Sequence, residues 1–292
     1  MSVGSSAGSP GIKARHGADI DIRPLATEAE LRQCVELQRA TWGQDYDDIV
    51  PPSVLKVAQK VGGVAAGAFA ADGRMVGFVF GMAGVRDGRI IHWSDMLAVR
   101  EDARDRGVGQ QLKDFQRIAA RASGATTMYW TYDPLVARNA HVNFNRLGVQ
   151  VDEYVEDMYG ASASDLHRGL GTDRLIVAWP LDGVVPRRPA ATPAADSAGA
   201  AIVNPGGRMA PAAGLAISSA TLPNVVRIEI PMDIVAVRDS SPADAAQWRA
   251  STRQAFQWAL FNHYTVARFV SDVTAGRGYY LLARGPETGV GT

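Results

Sequence analysis

Apolar positions along this chain change spacing several times, and each change marks an element. DIDIRPL alternates and predicts a strand from about Ile20. TEAELRQCVELQRATWG then takes helical spacing, with Leu31, Cys34, Val35 and Leu37 on one side. Thr27 is its expected N-cap, and Glu30 completes a capping box. A second helix fits PPSVLKVAQKVGG, opened by Pro51 and Pro52 and ended before Gly62 and Gly63. Asp72-Gly73 and Asp87-Gly88 read as hairpin turns, so three antiparallel strands are expected near 64–71, 74–84 and 89–99. A helix to about Ser123 follows, and TTMYWTY is a strand rich in aromatic and β-branched residues.

Asp133-Pro134 opens a further helix, with the aspartate at the cap, ending near Gly148. VQVDEYVEDMY and DRLIVAWPL are strands. Between 182 and 223 the pattern fades into a Pro-, Ala- and Gly-rich stretch, read as a linker. Periodicity returns over 224–286 as strand, helix, strand, strand, with Ser241 and Pro242 as cap and first turn of the helix. That tail is short for a domain of its own. It is expected to pack on the preceding domain or to form a homodimer contact. The first 19 residues are rich in Gly and Ser and read as a flexible leader. The expected domain is therefore 20–181.

Composition narrows the class. In 292 residues, 30 Lys and Arg balance 30 Asp and Glu, which gives no global charge to draw nucleic acid or a membrane surface. No window approaches the ~20 apolar residues of a spanning helix. Cys34 is the single cysteine, so disulfides cannot hold the fold, which fits a reducing, cytoplasmic setting. Within its helical pattern Cys34 reads as a core residue.

The candidate chemistry begins at REDARDRGVGQQLKDF, where two glycines, Gly107 and Gly109, open a helix directly after a strand. Glycine costs a helix about 1 kcal/mol relative to alanine. A helix start offers unpaired N–H groups and a partial positive charge, and missing side chains let an anion reach those amides. Arg104 and Arg106 add charge. A P-loop would need Lys-Ser or Lys-Thr where Gln110 and Gln111 stand, and the dinucleotide fingerprint needs a third glycine and a parallel sheet.

The Arg-x-x-Gly-x-Gly of Arg104, Gly107 and Gly109, with DMLAV upstream and the order of elements over 20–180, resembles the GNAT acyltransferase superfamily. WTYDPL, RNA and LG between Trp130 and Gly148, and LHRGLGTDR at 166–174, resemble a functionally unassigned group of GNAT acetyltransferases. The resemblance implies an α+β fold: a mixed, mostly antiparallel sheet flanked by helices, here with an added C-terminal region. It implies acetyl-CoA or a related acyl-CoA, with no metal, and a small-molecule amine as acceptor. Met96, Leu97, Ala98 and Val99 would offer backbone groups to the pantetheine arm, and Arg104, Asp105, Arg106, Gly107, Val108, Gly109 and Gln110 would hold the pyrophosphate. Asn139 and Asn143, four apart on one helix face, would reach the cofactor or acceptor, or else serve local backbone.

Alternation puts Trp93, Asp95, Leu97 and Val99 on one strand face. Counted back from Val99, Asp95 and Trp93 occupy the positions that hold histidines in some aralkylamine acetyltransferases, so the resemblance implies Asp95 as base, directly or through a water, or as a group that pairs with an arginine and shapes the acceptor site. Trp93 would line that site. His92 points to the other face and is read as a structural hydrogen-bonder, and His141 as a surface residue. Phe144 occupies the place where the superfamily often has a tyrosine acid, and phenylalanine cannot donate a proton. Tyr132 is the candidate stand-in, or an aromatic strand residue. Arg168 and Arg174, near His167 and Asp173, would hold an anionic group of the acceptor or form a salt-bridged turn. Two further readings stay open: an acyl-CoA sensor without turnover, and an interaction protein that dimerises through its tail.

Overall fold

The computed structural model describes residues 20–44, 46–160, 170–181, 199–210 and 222–284. The leader read over 1–19, His167, Arg168, and the linker read over 182–198 and 211–221 lie outside the described residues.

Seven strands are hydrogen-bonded in the order β1-β2-β3-β4-β5-β7-β6. They are β1 (Asp21–Pro24), β2 (Val64–Phe69), β3 (Met75–Arg86), β4 (Arg89–Val99), β5 (Thr127–Tyr132), β6 (Gln150–Val155) and β7 (Arg174–Pro180). The neighbours β4 and β5 run parallel, whereas β1–β2, β2–β3, β5–β7 and β6–β7 are antiparallel. A second sheet has the order β10-β11-β9-β8. Its strands are β8 (Ala201–Ile202), β9 (Val225–Pro231), β10 (Tyr264–Asp272) and β11 (Arg277–Arg284). This is the mixed, mostly antiparallel α+β architecture expected. Helices are α1 (Glu28–Trp42), α2 (Pro52–Lys60), α3 (Val108–Ala122), α4 (Ala137–Ala140), α5 (Ile234–Ser240) and α6 (Pro242–Phe261). No helix among the described residues is long and apolar enough to cross a membrane.

The chain divides into two compact units. The first comprises the described residues up to Thr41, Asp48–Ala83 and Ser94–Ser123. Its α1 starts at the predicted capping box: Glu30 N–H donates to Thr27 Oγ1 at 3.2 Å, and Thr27 N–H donates to Glu30 Oε2 at 3.0 Å. Leu31, Cys34 and Leu37 are buried beneath it, and burial pushes the Cys34 thiol up to about 12. α2 is closed by Val61, with Gly62 following at φ 91, and at Gly63 a Cβ would stand 2.6 Å from the Gly81 carbonyl oxygen. α3 closes the unit by setting Val108 and Leu112 against Val64, Ala66, Ala68 and Val76.

The second unit comprises Trp42–Asp47, Gly84–Trp93 and the described residues from Gly124 onward. Part of the predicted domain, Gly84–Trp93 and the described residues from Gly124, thus shares a unit with the predicted tail. Their common core is aromatic: Tyr280 of β11 lies 5.9 Å from Phe144, 4.9 Å from Phe256 and 5.1 Å from Phe269, centroid to centroid. Asn145 joins the halves as a strand would, donating to the Phe269 carbonyl at 2.8 Å and accepting from its N–H at 3.0 Å. Within the stretch read as linker, β8 pairs in parallel with β9. The tail carries two helices, α5 and α6, where one was expected, and Ser241 caps α6 by accepting from Asp244 N–H at 3.2 Å.

The helix expected from Asp133 to Gly148 is different in kind. Asp133 accepts from Leu135 N–H at 2.8 Å in a local turn, and helical structure begins at Ala137. After Ala140 the chain widens into a π-helix, His141–Leu147, closed by Gly148 at φ 67. The wider turn leaves Asn143, Phe144 and Leu147 all buried.

Candidate functional site

Strand β4 delivers the chain to the loop between β4 and α3. At its end Arg100 is pinned to β3, its N–H donating to the Val76 carbonyl and its Nε to the Met75 carbonyl, each at 2.8 Å. A 3₁₀ turn, Glu101–Ala103, follows, with Ala103 buried in the core. Arg104, Asp105, Arg106 and Gly107 are then exposed. Two residues bend the loop through the left-handed region, Asp105 at φ 61 and Gly107 at φ 76. Arg104 Nε contacts the Val99 carbonyl at 3.4 Å.

Gly107 is the N-cap of α3, and no side chain caps the helix there. Gln111 N–H makes the first helical bond, to the Gly107 carbonyl at 3.0 Å. The amides of Val108, Gly109 and Gln110 precede that bond and have no partner within the helix. The first turn holds no acidic residue. Buried Val108 anchors the turn, while Gln110 is exposed and its side chain reaches Asp114. Around the missing Gly107 side chain, the nearest atom within 4 Å is Gln111 Nε2 at 3.9 Å. An open, positively polarised set of amides flanked by two exposed arginines fits a diphosphate by charge and access.

On β4, Met96 and Ala98 are buried, Leu97 and Val99 half-buried, and Asp95 exposed. The contacts correct the expected alternation. Ser94 Oγ donates to Gln116 Oε1 of α3 at 2.8 Å. A Cβ built on Gly109 of α3 would lie 3.7 Å from both Leu97 Cδ2 and Val99 Cγ2. A strictly pleated strand cannot aim Ser94 and also Leu97 and Val99 at one helix. The phase slips between them. Ser94, Leu97 and Val99 all meet α3, and Asp95 between them is exposed. A slipped strand re-aims side chains in the way β-bulges do beside many active sites.

The parallel pairing of β4 with β5 covers only Ile91–Thr127, His92–Met128 and Trp93–Tyr129. Trp93 is half-buried and His92 is buried. Tyr132, at the end of β5, is buried, and its hydroxyl donates to the Tyr280 hydroxyl at 3.4 Å. Burial raises its pKa well above that of a free phenol. Tyr280 in turn donates to the Pro134 carbonyl at 2.6 Å. Asn143 is buried and accepts from Trp130 Nε1 at 3.1 Å, whereas Asn139 is exposed. The two asparagines therefore do not act as one pair. His141 is exposed, with Nδ1 3.0 Å from Asn145 Nδ2.

Asp173 forms a salt bridge with Arg253 of α6 at 2.6 Å and accepts from the Tyr154 hydroxyl at 2.6 Å. Those bonds outweigh the effect of burial, so its carboxyl lies below the usual carboxylate range. Arg174 is buried, donates to the Asp173 carbonyl at 2.9 Å, and sits 5.2 Å from the Tyr159 ring centroid. The charged turn read from the sequence is thus bound by an arginine 80 residues away.

Two buried polar groups were missed. Lys113 looks from sequence like one more polar helix residue, and only its helical position relative to Gly109 hints at burial. Arg249 sits among alanines and tryptophans in α6, a setting that could have flagged it.

No family model matches the chain, and no curated protein matches it. Among solved structures, it is similar to yncA, a putative acetyltransferase from Salmonella typhimurium with its cofactor acetyl-CoA. That likeness has 17% identity, 57% of this chain, 96% of that one, and a TM-score of 0.45. An acetyltransferase of the GNAT family from Streptococcus pneumoniae is similar at 18% identity, covering 56% of this chain and 99% of that one, with a TM-score of 0.43. The ribosomal-protein-S18-alanine N-acetyltransferase from Escherichia coli is similar at 16% identity, covering 56% and 94%, also with a TM-score of 0.43.

Proposed function

We propose that this chain binds an acyl-CoA and transfers its acetyl group to the amine of a small acceptor. The observation that carries the reading is the loop Arg104–Gln110. Its left-handed Gly107 opens α3, whose first three amides have no partner within the helix, and two exposed arginines stand beside them.

The cofactor, when bound, supplies a thioester that an amine can attack. Val108, Gly109 and Gln110 would bind the diphosphate through backbone N–H, with Arg104 and Arg106 adding charge. Met96 to Val99 would orient the pantetheine arm through backbone groups. Such positioning alone accounts for a large share of rate in bimolecular transfers. Asp95, which is exposed, would take a proton from the acceptor ammonium, so that the neutral amine attacks.

A second reading has its own support. Phe144 has no hydroxyl, and the Tyr132 hydroxyl is engaged with Tyr280 inside an aromatic core. A chain with no acid at hand could sense acyl-CoA without turning it over.

One experiment separates the two. The pure protein is incubated with acetyl-CoA and a panel of amines and amino acids while thiol release is followed. Release above background only with an amine present supports the transferase. Calorimetric binding of coenzyme A without release across the panel supports the sensor. No binding at all removes both.

A further inference from the structure

Lys113 follows Gly109 by four residues and so lies one turn below it on the same face of α3. Both look toward β4. Leu97 and Val99 flank Gly109, and Ser94 receives Lys113. The amine donates to Ser94 Oγ at 2.8 Å and stands 3.5 Å from Gln116 Oε1. Ser94 donates to that same Gln116 oxygen, and Gln116 Nε2 donates to the Phe80 carbonyl at 3.3 Å. A run of hydrogen bonds thus links the lysine on α3, the strand β4 and the backbone of β3. All three side chains are buried, with Lys113 7% exposed.

We propose that Lys113 is a positioning residue whose charge is coupled to the anion held at the start of α3. The inference rests on the cofactor reading above. One helical turn rises about 5.4 Å, so a diphosphate on the Val108–Gln110 amides would stand roughly 10 Å from the amine. Across a partly dry interior that distance leaves a strong attraction between an ammonium and a diphosphate. Burial pushes the Lys113 amine down to about 7, so its charge is poised near neutral pH. Bound anion favours the ammonium, and by linkage the ammonium favours bound anion.

The other titratable groups around α3 are few. On α3 itself Asp114 and Arg117 flank the lysine, and Asp114 accepts from Gln110. On β4 they are His92, two residues before Ser94, and the exposed Asp95. On β1 they are Asp21 and Arg23, joined at 3.0 Å. Strand β2 and the Met75–Ala83 part of β3 carry none.

The test is calorimetry of coenzyme A binding to the full chain and to Lys113→Met, in buffers of different ionisation enthalpy. At pH 7 the unaltered protein should take up a fraction of a proton beyond the share due to the coenzyme's own phosphate. Lys113→Met should show the coenzyme's share alone. Between pH 6 and 8.5 the affinity of the unaltered protein should fall about tenfold more than that of the variant. Equal proton uptake by the two overturns the proposal while leaving cofactor binding standing. No binding by the unaltered protein overturns both. Should Lys113→Met fail to fold, Ser94→Ala serves. Removing the lysine's acceptor should move the midpoint of the pH-linked affinity to lower pH, and an unmoved midpoint overturns the proposal.

Discussion

The guanidinium of Arg249 donates twice to the carboxylate of Asp133, at 2.8 and 2.6 Å, across 116 residues of sequence. Both side chains are almost fully enclosed, 5% and 7% exposed. Arg249 spends its Nε on the Leu170 carbonyl as well, at 2.9 Å. A buried pair of this kind costs desolvation on both sides, and its removal one partner at a time is what hurts. Arg249→Met should therefore lower the unfolding free energy by about 3–5 kcal/mol, read by urea denaturation. The double change Asp133→Leu with Arg249→Met should be less damaging than either single change.

Gly109 separates a cofactor loop from an ordinary helix start. An alanine Cβ there would make ordinary contacts, 3.7 Å from Leu97 and Val99. Gly109→Ala should leave thermal stability unchanged or raise it, since alanine is favoured in a helix by about 1 kcal/mol. It should nonetheless weaken coenzyme A binding, because the proposed diphosphate site is made by this residue's own amide and its two neighbours'. Unchanged affinity would argue for a plain turn.

Gly107 makes the complementary case. At φ 76 a side chain is strained whatever the space around it. Gly107→Val should cost about 1–2 kcal/mol of stability, measured by thermal melting, and lose coenzyme affinity as the loop relaxes.

Lys113 gives stability a defined pH dependence. Its pKa is about 7 when folded, below the 10.5 of a free lysine. Between those values the unfolded chain binds a proton that the folded chain does not. Stability should therefore climb as pH rises from about 7 toward 10.5 and then level off. Lys113→Met should flatten that climb, as shown by unfolding midpoints across pH 6.5–9.5.

Asp95→Asn tests the proposed base. Thiol release should fall about 10²–10⁴-fold while coenzyme A affinity holds. A fall in affinity with turnover intact would assign Asp95 to binding instead.

What the sequence made legible was local. Thr27 with Glu30, and Ser241 before α6, are caps whose partners lie three residues away, and both bonds form as read. The Asp-Gly pairs placed the strands: Asp87-Gly88 alone joins β3 to β4, and Asp72-Gly73 lies in the short connection between Phe69 and Met75. The β4 phase was misread because alternation carries no mark of where a strand slips. Only Ser94, Leu97 and Val99 meeting one helix reveal it. The Asn139–Asn143 pairing was lost for a related reason, since a π-helix changes which residues share a face. Asp133 was read as the cap of a helix, whereas it closes a local turn ahead of Ala137, and its ion pair depends on a residue that no short window contains.

The aromatic junction of Phe144, Phe256, Phe269 and Tyr280 bears on how this protein can be handled. Cutting the chain after Leu181, to keep what looks like a self-sufficient catalytic piece, would strip three of those four rings away. Phe144 and Tyr132 would then meet water, and Asn145 would lose its strand. Such a fragment should come out insoluble, and adding the missing stretch as a separate polypeptide should rescue it.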